Sequence, residues 1–173
     1  MAEITKEMVE RIVFLDVDGV LNNTLFYQEH HKNGTLNSLG FEESNFDPRC
    51  MGLLNDLIVT TEAKVVVSST WRKGRTVEEL SGLFSRMGFK GEIIGKTPVG
   101  CRMCCRGNEI KSWMDDNTDI IGPRHEFKKY VIFDDDSDML YNQRANFLLV
   151  DPYAGLTPNL IYKANFILTG KYK

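Results

Sequence analysis

The chain has 173 residues, enough for one compact domain with a buried core, and we expect a single domain spanning 1–173. Its net charge of -3 excludes sequence-independent clamping along a nucleic-acid duplex, which requires many lysines and arginines on one face. No apolar run reaches the roughly 20 residues that cross a membrane, and residues 1–11 lack the features of a secretory signal, so we expect a cytoplasmic location.

Strand and helix patterns alternate along the sequence. In chain order they predict a strand over 11–16, a helix over 48–62, a strand over 63–67, a helix capped by Thr76 and ended by Gly88, a strand over 91–94, a helix over 106–114, and strands over 130–133 and 147–150. The strands are short apolar runs, several of them rich in β-branched residues, whereas the helices carry apolar residues on one face. Strands that alternate with helices form a parallel sheet covered on both faces, so we predict an α/β fold.

Oxygen-bearing side chains follow three of the predicted strands. They are Asp16 and Asp18, then Ser68 and Ser69, then Asp134 and Asp135. The ligand site of a parallel sheet lies outside the carboxyl ends of its strands. These side chains are therefore predicted to share one site.

The first of these clusters, FLDVDGV, has a geometry that suits a metal ion. Residues two apart in extended chain point the same way, so the carboxylates of Asp16 and Asp18 can face one site. Gly19 then allows the backbone to turn sharply. Because two neighbouring carboxylates repel each other, a hard cation such as Mg2+ is the natural compensation.

The strings DVDGV, VVVSS and VIFDDD resemble the first, second and fourth motifs of phosphatases of the haloacid dehalogenase (HAD) superfamily, in the family's order. Within it, SSTWR, GKTP, RGNEIKSW, FDDD and GLT are similar to the HAD domains of RNA-repair (Swiss Army Knife) proteins. The resemblance covers residues 11–151 and implies a Rossmann-like HAD fold, a central parallel sheet flanked by helices.

The resemblance also implies a role for each matched residue. Asp16 would be the nucleophile that becomes an aspartyl phosphate, and Asp18 the general acid and base. Ser68 would bind a phosphoryl oxygen, although Ser69 and Thr70 carry equally able hydroxyls, and Ser69 is a further candidate for substrate binding.

A magnesium site is implied at the same place. Asp135 would hold Mg2+ together with a side-chain oxygen of Asp16 and the backbone carbonyl of Asp18, with Asp134 beside it. Asp138 is a second candidate ligand, and Asp136 is predicted to be a solvated loop residue.

The third motif of the family usually supplies a lysine that offsets the charge of the nucleophile. Here the candidates are Arg106, which opens a predicted helix and is favoured, then Lys96 and Lys111. A cation at a helix N-terminus would face an anion together with the helix dipole.

The predicted site is open, because the stretches 21–46 and 72–106 are too short to contain a folded cap domain in addition to the elements that they must supply. An open site suits the end of a large molecule, so we expect a nucleotide or a nucleic-acid end phosphate as substrate. Its local contacts would come from Lys96 and from the cations Arg72, Lys73 and Arg75, with His30 or His31. A flap from residues 22–45 would lie beside it.

Several alternatives stay open. Trp71 either stacks on a base or fills the core, and Arg72 either pairs with a substrate phosphate or is an ordinary surface charge. The domain could instead bind phosphorylated ligands with weak turnover, or act on a phosphoprotein or a small metabolite. A response-regulator receiver is disfavoured, since Ser68 and Ser69 stand where its phosphorylated aspartate would be.

Three of the four cysteines, Cys101, Cys104 and Cys105, lie close together. No second cysteine pair lies at zinc-ligand spacing, so free thiols are predicted.

Overall fold

The computed structural model describes residues 8–35, 46–100, 104–124 and 126–171. Its five strands form one sheet: β1 Ile12–Leu15, β2 Lys64–Val67, β3 Ile93–Lys96, β4 Tyr130–Asp134 and β5 Phe147–Leu149. The order across the sheet is β3-β2-β1-β4-β5, and all four pairings are parallel. The predicted parallel α/β fold is therefore confirmed.

The helices are α1 Thr24–Lys32, α2 Pro48–Thr61, α3 Val77–Arg86, α4 Arg106–Asp116, α5 Thr118–Ile121 and α6 Pro158–Thr169. Short 3-10 turns lie at Thr70–Arg72 and Tyr141–Gln143. Local sequence explains several boundaries. Asp47 caps α2 ahead of Pro48, and Thr76 and Glu79 form a capping box at the start of α3.

Three helices, α1, α5 and α6, were not predicted. Asn23 caps α1 by accepting a hydrogen bond from the Phe26 N–H, and Thr157-Pro158 begins α6 in the manner of Asp47-Pro48. The α1 helix occupies part of the predicted flap, while residues 36–45 of that flap lie outside the described residues.

Both faces of the sheet are buried, because alternate residues of the central strands point to opposite sides. From β1, Val13 and Leu15 belong to one apolar cluster, which includes residues of α2, α3 and α6. Ile12 and Phe14 belong to the other cluster, which includes residues of α4 and α5. This packing fixes the carboxyl ends of the strands, where the predicted site lies.

The connections that leave those ends contain no folded cap among the described residues. Between β1 and α2 the described chain contains α1, and between β2 and α4 it contains one 3-10 turn, α3 and β3. No helix of the described chain is both long and apolar enough to span a bilayer. The cleft above the sheet is thus open, as the segment lengths predict.

Candidate active site

The three predicted clusters meet at one edge of the sheet because β2, β1 and β4 are neighbours. Parallel hydrogen bonding continues one residue past the first two strands: the Asp16 N–H donates to Phe133 O at 3.0 Å, and the Ser68 N–H donates to Leu15 O at 2.9 Å. Asp134 is the last residue of β4. The side chains of Asp16, Ser68 and Asp134 are thus set by rigid strands rather than by loops.

Three carboxylates form a cluster at this edge. One oxygen from each of Asp16, Asp134 and Asp135 lies within 4.8 Å of the other two. Burial, followed by the charge of Asp16, raises the pKa of Asp134 to about 7. Burial also raises the pKa of Asp16 and of Asp135. Carboxylates that crowd together in a desolvated place are stabilised by a cation, and oxygen donors are the ligands that Mg2+ prefers, so this set fits a hard divalent ion.

Gly19 allows the turn after Asp18 to lie directly against this cluster. Its φ is +74°, and a Cβ atom at this position would lie 2.6 Å from Asp135 Cγ. Only glycine combines that backbone conformation with so close an approach. The turn and the Asp135 carboxylate are therefore in contact.

Arg106 is the predicted cation that reaches the cluster. Its Nε donates to Asp134 Oδ2 at 3.2 Å, and its Nη2 lies 4.0 Å from Asp16 Oδ2. Lys96 Nζ instead donates to the carbonyl of Arg75, and Lys111 pairs with Asp115 on the exposed side of α4 at 2.7 Å. The geometry thus favours Arg106 over both lysines as the compensating charge.

The two serines differ in their contacts. Ser68 is fully buried, and its hydroxyl has no hydrogen-bond partner among the described residues. The hydroxyl of Ser69 hydrogen-bonds to Asp16 and accepts from the Trp71 N–H at 3.3 Å. Buried hydroxyls are nearly always paired, so the hydroxyl of Ser68 keeps an unused donor at the carboxyl end of β2.

Arg72, a predicted substrate-binding residue, lines the cleft but is held by other parts of the chain. It is 1% exposed, and its guanidinium donates to the carbonyls of Ser68, Ser69, Thr97 and Pro98. Its Nη2 also donates to Glu109 Oε2 at 2.6 Å. Arg72 therefore joins the loops after β2 and β3 to α4, because it takes up carbonyl groups that would otherwise be buried without a donor.

The carboxylate of Asp18 is not part of the three-acid cluster. This exposed carboxylate accepts hydrogen bonds from Asn22 Nδ2 at 2.8 Å and from Trp71 Nε1, which is 3.1 Å from each oxygen. Asn22 Oδ1 in turn accepts from the Gly19 N–H at 2.9 Å. The two acids of DVDG thus have different surroundings, and the backbone carbonyl of Asp18 stays the predicted metal ligand.

The remaining acids of the β4 loop have distinct contacts. Asp136 is exposed, and its backbone N–H donates a hydrogen bond to Asp134 Oδ1 at 3.0 Å. Asp138 Oδ2 accepts from the Arg106 N–H at 2.8 Å, so this side chain connects the loop to the start of α4.

Glu109, in α4, is a residue of the site that sequence patterns did not single out. It accepts from Arg72, from Arg106 Nη1 at 3.2 Å and from the Gly100 N–H at 2.8 Å.

An open cleft of about 490 Å³ lies over the three-acid cluster. Asp16, Arg106 and Asp135 line it, together with Lys73 and the exposed thiol residue Cys104. Cys104 and Cys105 form no disulfide among the described residues, and Cys101 lies outside them.

A parallel sheet in this strand order, with an acidic site at its carboxyl edge and no cap in the described chain, defines a domain of the HAD type. The family described as "HAD domain in Swiss Army Knife RNA repair proteins" matches residues 12–161, so the chain belongs to that family. Searches of curated proteins and of solved structures gave no match. Membership of the HAD group supports a HAD-type hydrolase.

Proposed function

We propose that this protein is a magnesium-dependent phosphomonoesterase that works through a phosphorylated Asp16. The observation that carries the proposal is the position of the Asp16 carboxylate at the end of β1, beside Asp134 and Asp135 and 4.0 Å from Arg106. A nucleophilic carboxylate must approach an anionic phosphoryl group, so it needs positive charge beside it.

The reaction proceeds in two displacements. An oxygen of Asp16 attacks phosphorus while the bond from phosphorus to the leaving alcohol breaks, and the leaving oxygen takes a proton from Asp18. The Asp18 carboxylate then removes a proton from water, which attacks phosphorus and breaks the bond to Asp16. One carboxyl group thus serves as acid and then as base, and both displacements return the protein to its starting state.

The charge on the transferring group is met by several side chains. Arg106 supplies a guanidinium with N–H groups suited to phosphoryl oxygens, and the unpaired hydroxyl of Ser68 supplies a neutral donor. Asp16, Asp134 and Asp135, with the carbonyl of Asp18, are the groups that would hold Mg2+, which when bound neutralises negative charge on the phosphoryl oxygens.

The substrate we propose is a nucleotide or a nucleic-acid end phosphate. The cleft is open over the described residues, so it admits the end of a large molecule more readily than it encloses a small one. The family description names RNA repair, which supports the same class. Lys73 is exposed at the cleft and is a cation that can bind a neighbouring backbone phosphate.

A phosphate-release panel tests this proposal. The purified protein is incubated with Mg2+ and with nucleotides, oligonucleotides that carry a 3'- or 5'-phosphate, phosphopeptides and phospho-sugars. We expect release that stops on adding EDTA and that favours nucleotides or oligonucleotides. Specificity for a phospho-sugar or phosphopeptide about tenfold above every nucleotide and oligonucleotide would refute the substrate class. No release from any compound would favour a binding domain.

A further inference from the structure

Trp71 holds the carboxylate of Asp18 through its indole N–H. Nε1 of Trp71 lies 3.1 Å from both Oδ1 and Oδ2 of Asp18, although the two residues are 53 positions apart. Asp18 is exposed, and an exposed aspartate normally samples several rotamers. A donor shared between its two oxygens restricts that sampling.

The ring of Trp71 is itself fixed. Phe46 packs against it with ring centroids 5.3 Å apart, and the guanidinium of Arg75 lies 5.9 Å from its centroid. Arg75 Nη1 also donates to the Trp71 carbonyl at 3.0 Å. These contacts leave Trp71 poorly suited to stack on a nucleobase, because a stacking platform needs an uncovered face.

A purely space-filling role does not explain the contact either. A core residue would direct its N–H to a buried acceptor, whereas the Trp71 N–H binds an exposed carboxylate. The backbone of Trp71 links the same turn to the nucleophile, since its N–H donates to the Ser69 hydroxyl, which hydrogen-bonds to Asp16. The 3-10 turn Thr70–Arg72 thus contacts Asp18 through Trp71, and Ser69, which caps that turn, contacts Asp16.

Asn22, four residues after Asp18, is a second hydrogen-bond donor to its carboxylate. Asn22 Nδ2 donates to Asp18 Oδ1, and the side chain of Tyr27, in α1, hydrogen-bonds to Asn22. A carboxylate offers about four lone-pair sites, so Asn22 and Trp71 orient the group and leave acceptor capacity for a proton.

We propose that Trp71 is a positioning residue for Asp18, the acid and base of the proposed phosphatase reaction, on which this inference rests. The indole N–H holds the carboxylate in one orientation toward the leaving oxygen and the attacking water. Holding a proton-transfer group in a single geometry lowers the barrier to transfer, because the ordering has already occurred in the free enzyme.

The test compares two tryptophan variants. Trp71→Phe keeps an aromatic ring but loses the N–H, while Trp113→Phe is the matched control, because Trp113 packs in the core against Phe14. We expect Trp71→Phe to lower kcat about 10- to 100-fold, in the range of a hydrogen bond to a charged group, with KM within about twofold of wild type. Trp113→Phe should leave kcat near the wild-type value.

Nuclear magnetic resonance provides a readout independent of turnover. The chain has two tryptophans and so two indole N–H signals, which Trp113→Phe assigns. We expect Asp18→Ala to shift the Trp71 signal and Asp136→Ala to leave it in place. An unmoved Trp71 signal in Asp18→Ala overturns the inference even if Trp71→Phe fails to fold, and wild-type kcat in a folded Trp71→Phe also overturns it. Absence of phosphate release in the wild type would refute the proposed function alone, and the signal would still decide the contact.

Discussion

Arg72 and Glu109 form an ion pair in the lining of the active-site cleft, with 2.6 Å between Nη2 and Oε2. The side chain of Arg72 is 1% exposed and that of Glu109 is 12% exposed. Glu109 also binds Arg106 Nη1, so the buried pair sets the position of the cation that faces Asp16. The pair therefore links the loop after β2 to the charge compensation of the nucleophile.

Neutralising Glu109 should impair both stability and turnover. Glu109→Gln leaves the charge of Arg72 buried without its partner, which costs about 3 kcal/mol of unfolding free energy, and it frees Arg106 from one of its anchors. Denaturant unfolding and kcat measure the two effects. The control is Asp115→Asn on the exposed face of the same helix, where the change should stay below about 1 kcal/mol. Equal losses of unfolding free energy and kcat in the two variants would show that the buried ion pair contributes no more than the exposed one.

Replacing Gly19 should weaken metal binding as well as the fold. Gly19→Ala places an L-residue at a left-handed φ, which lowers the free energy of unfolding by about 1 kcal/mol. The new methyl group would also clash with the Asp135 side chain. Gly74→Ala is the matched control, since Gly74 has φ +73° and, among the described residues beyond its chain neighbours, no atom lies within 4 Å of the place where its Cβ would stand. Calorimetric Mg2+ titration should show a loss of affinity in Gly19→Ala alone. The same affinity in both variants would mean that Asp135 does not need the close turn.

The two neighbouring acids after β4 should differ in their effect on Mg2+. Asp135 belongs to the cluster with Asp16 and Asp134, whereas the exposed Asp136 reaches that cluster through its backbone N–H. We expect Asp135→Ala to weaken Mg2+ binding about tenfold or more and Asp136→Ala to change it little. Equal losses of Mg2+ affinity in the two variants would contradict the choice of Asp135 as the ligand.

The acidic cluster predicts that the metal-free protein loses stability as the pH rises toward neutral. The pKa of Asp134 is about 7 in the folded state, above its ordinary value of 3.8, so the folded state holds the proton more tightly than the unfolded chain. The contribution of Asp134 to stability is therefore full below about pH 4 and is lost as the pH rises toward 7. Denaturation in EDTA at several pH values, compared between wild type and Asp134→Asn, measures it.

In that comparison the stability advantage of Asp134→Asn should grow from about pH 4 to about pH 7 and then level off, since the amide has no charge to desolvate. Added Mg2+ should stabilise the wild type most at the higher pH, where Asp134 is ionised. A difference between the two proteins that does not change with pH would contradict the raised pKa.

Much of the fold and part of the site could be predicted from the sequence. The buried strands are apolar runs that end abruptly in polar residues, so both the sheet and the edge that carries Asp16, Ser68 and Asp134 were predictable. Helix α6 was missed although Thr157-Pro158 marks its start. Its sequence is largely apolar, as in a buried segment, and lacks the clear one-sided pattern of a surface helix.

Local sequence patterns could not predict the contacts of Arg72 and Trp71, because their partners are distant in the sequence. Arg72 is buried because Thr97, Pro98 and Glu109 supply acceptors from other parts of the chain, 25 to 37 positions away. Sequence spacing does not reveal which carbonyls a loop will bury. An arginine after a polar turn therefore looks like a surface charge until the three segments are brought together.

The most direct measurement of the central claim is phosphate release by Asp16→Asn beside the wild type, with circular dichroism to confirm the fold. The amide cannot attack phosphorus, so we expect release to be abolished in a folded protein with Mg2+ present. Asp18→Asn should also be severely impaired and should accumulate the phosphorylated protein, since its base is lost. A folded Asp16→Asn that keeps more than a few per cent of wild-type turnover would contradict the assignment of Asp16 as nucleophile.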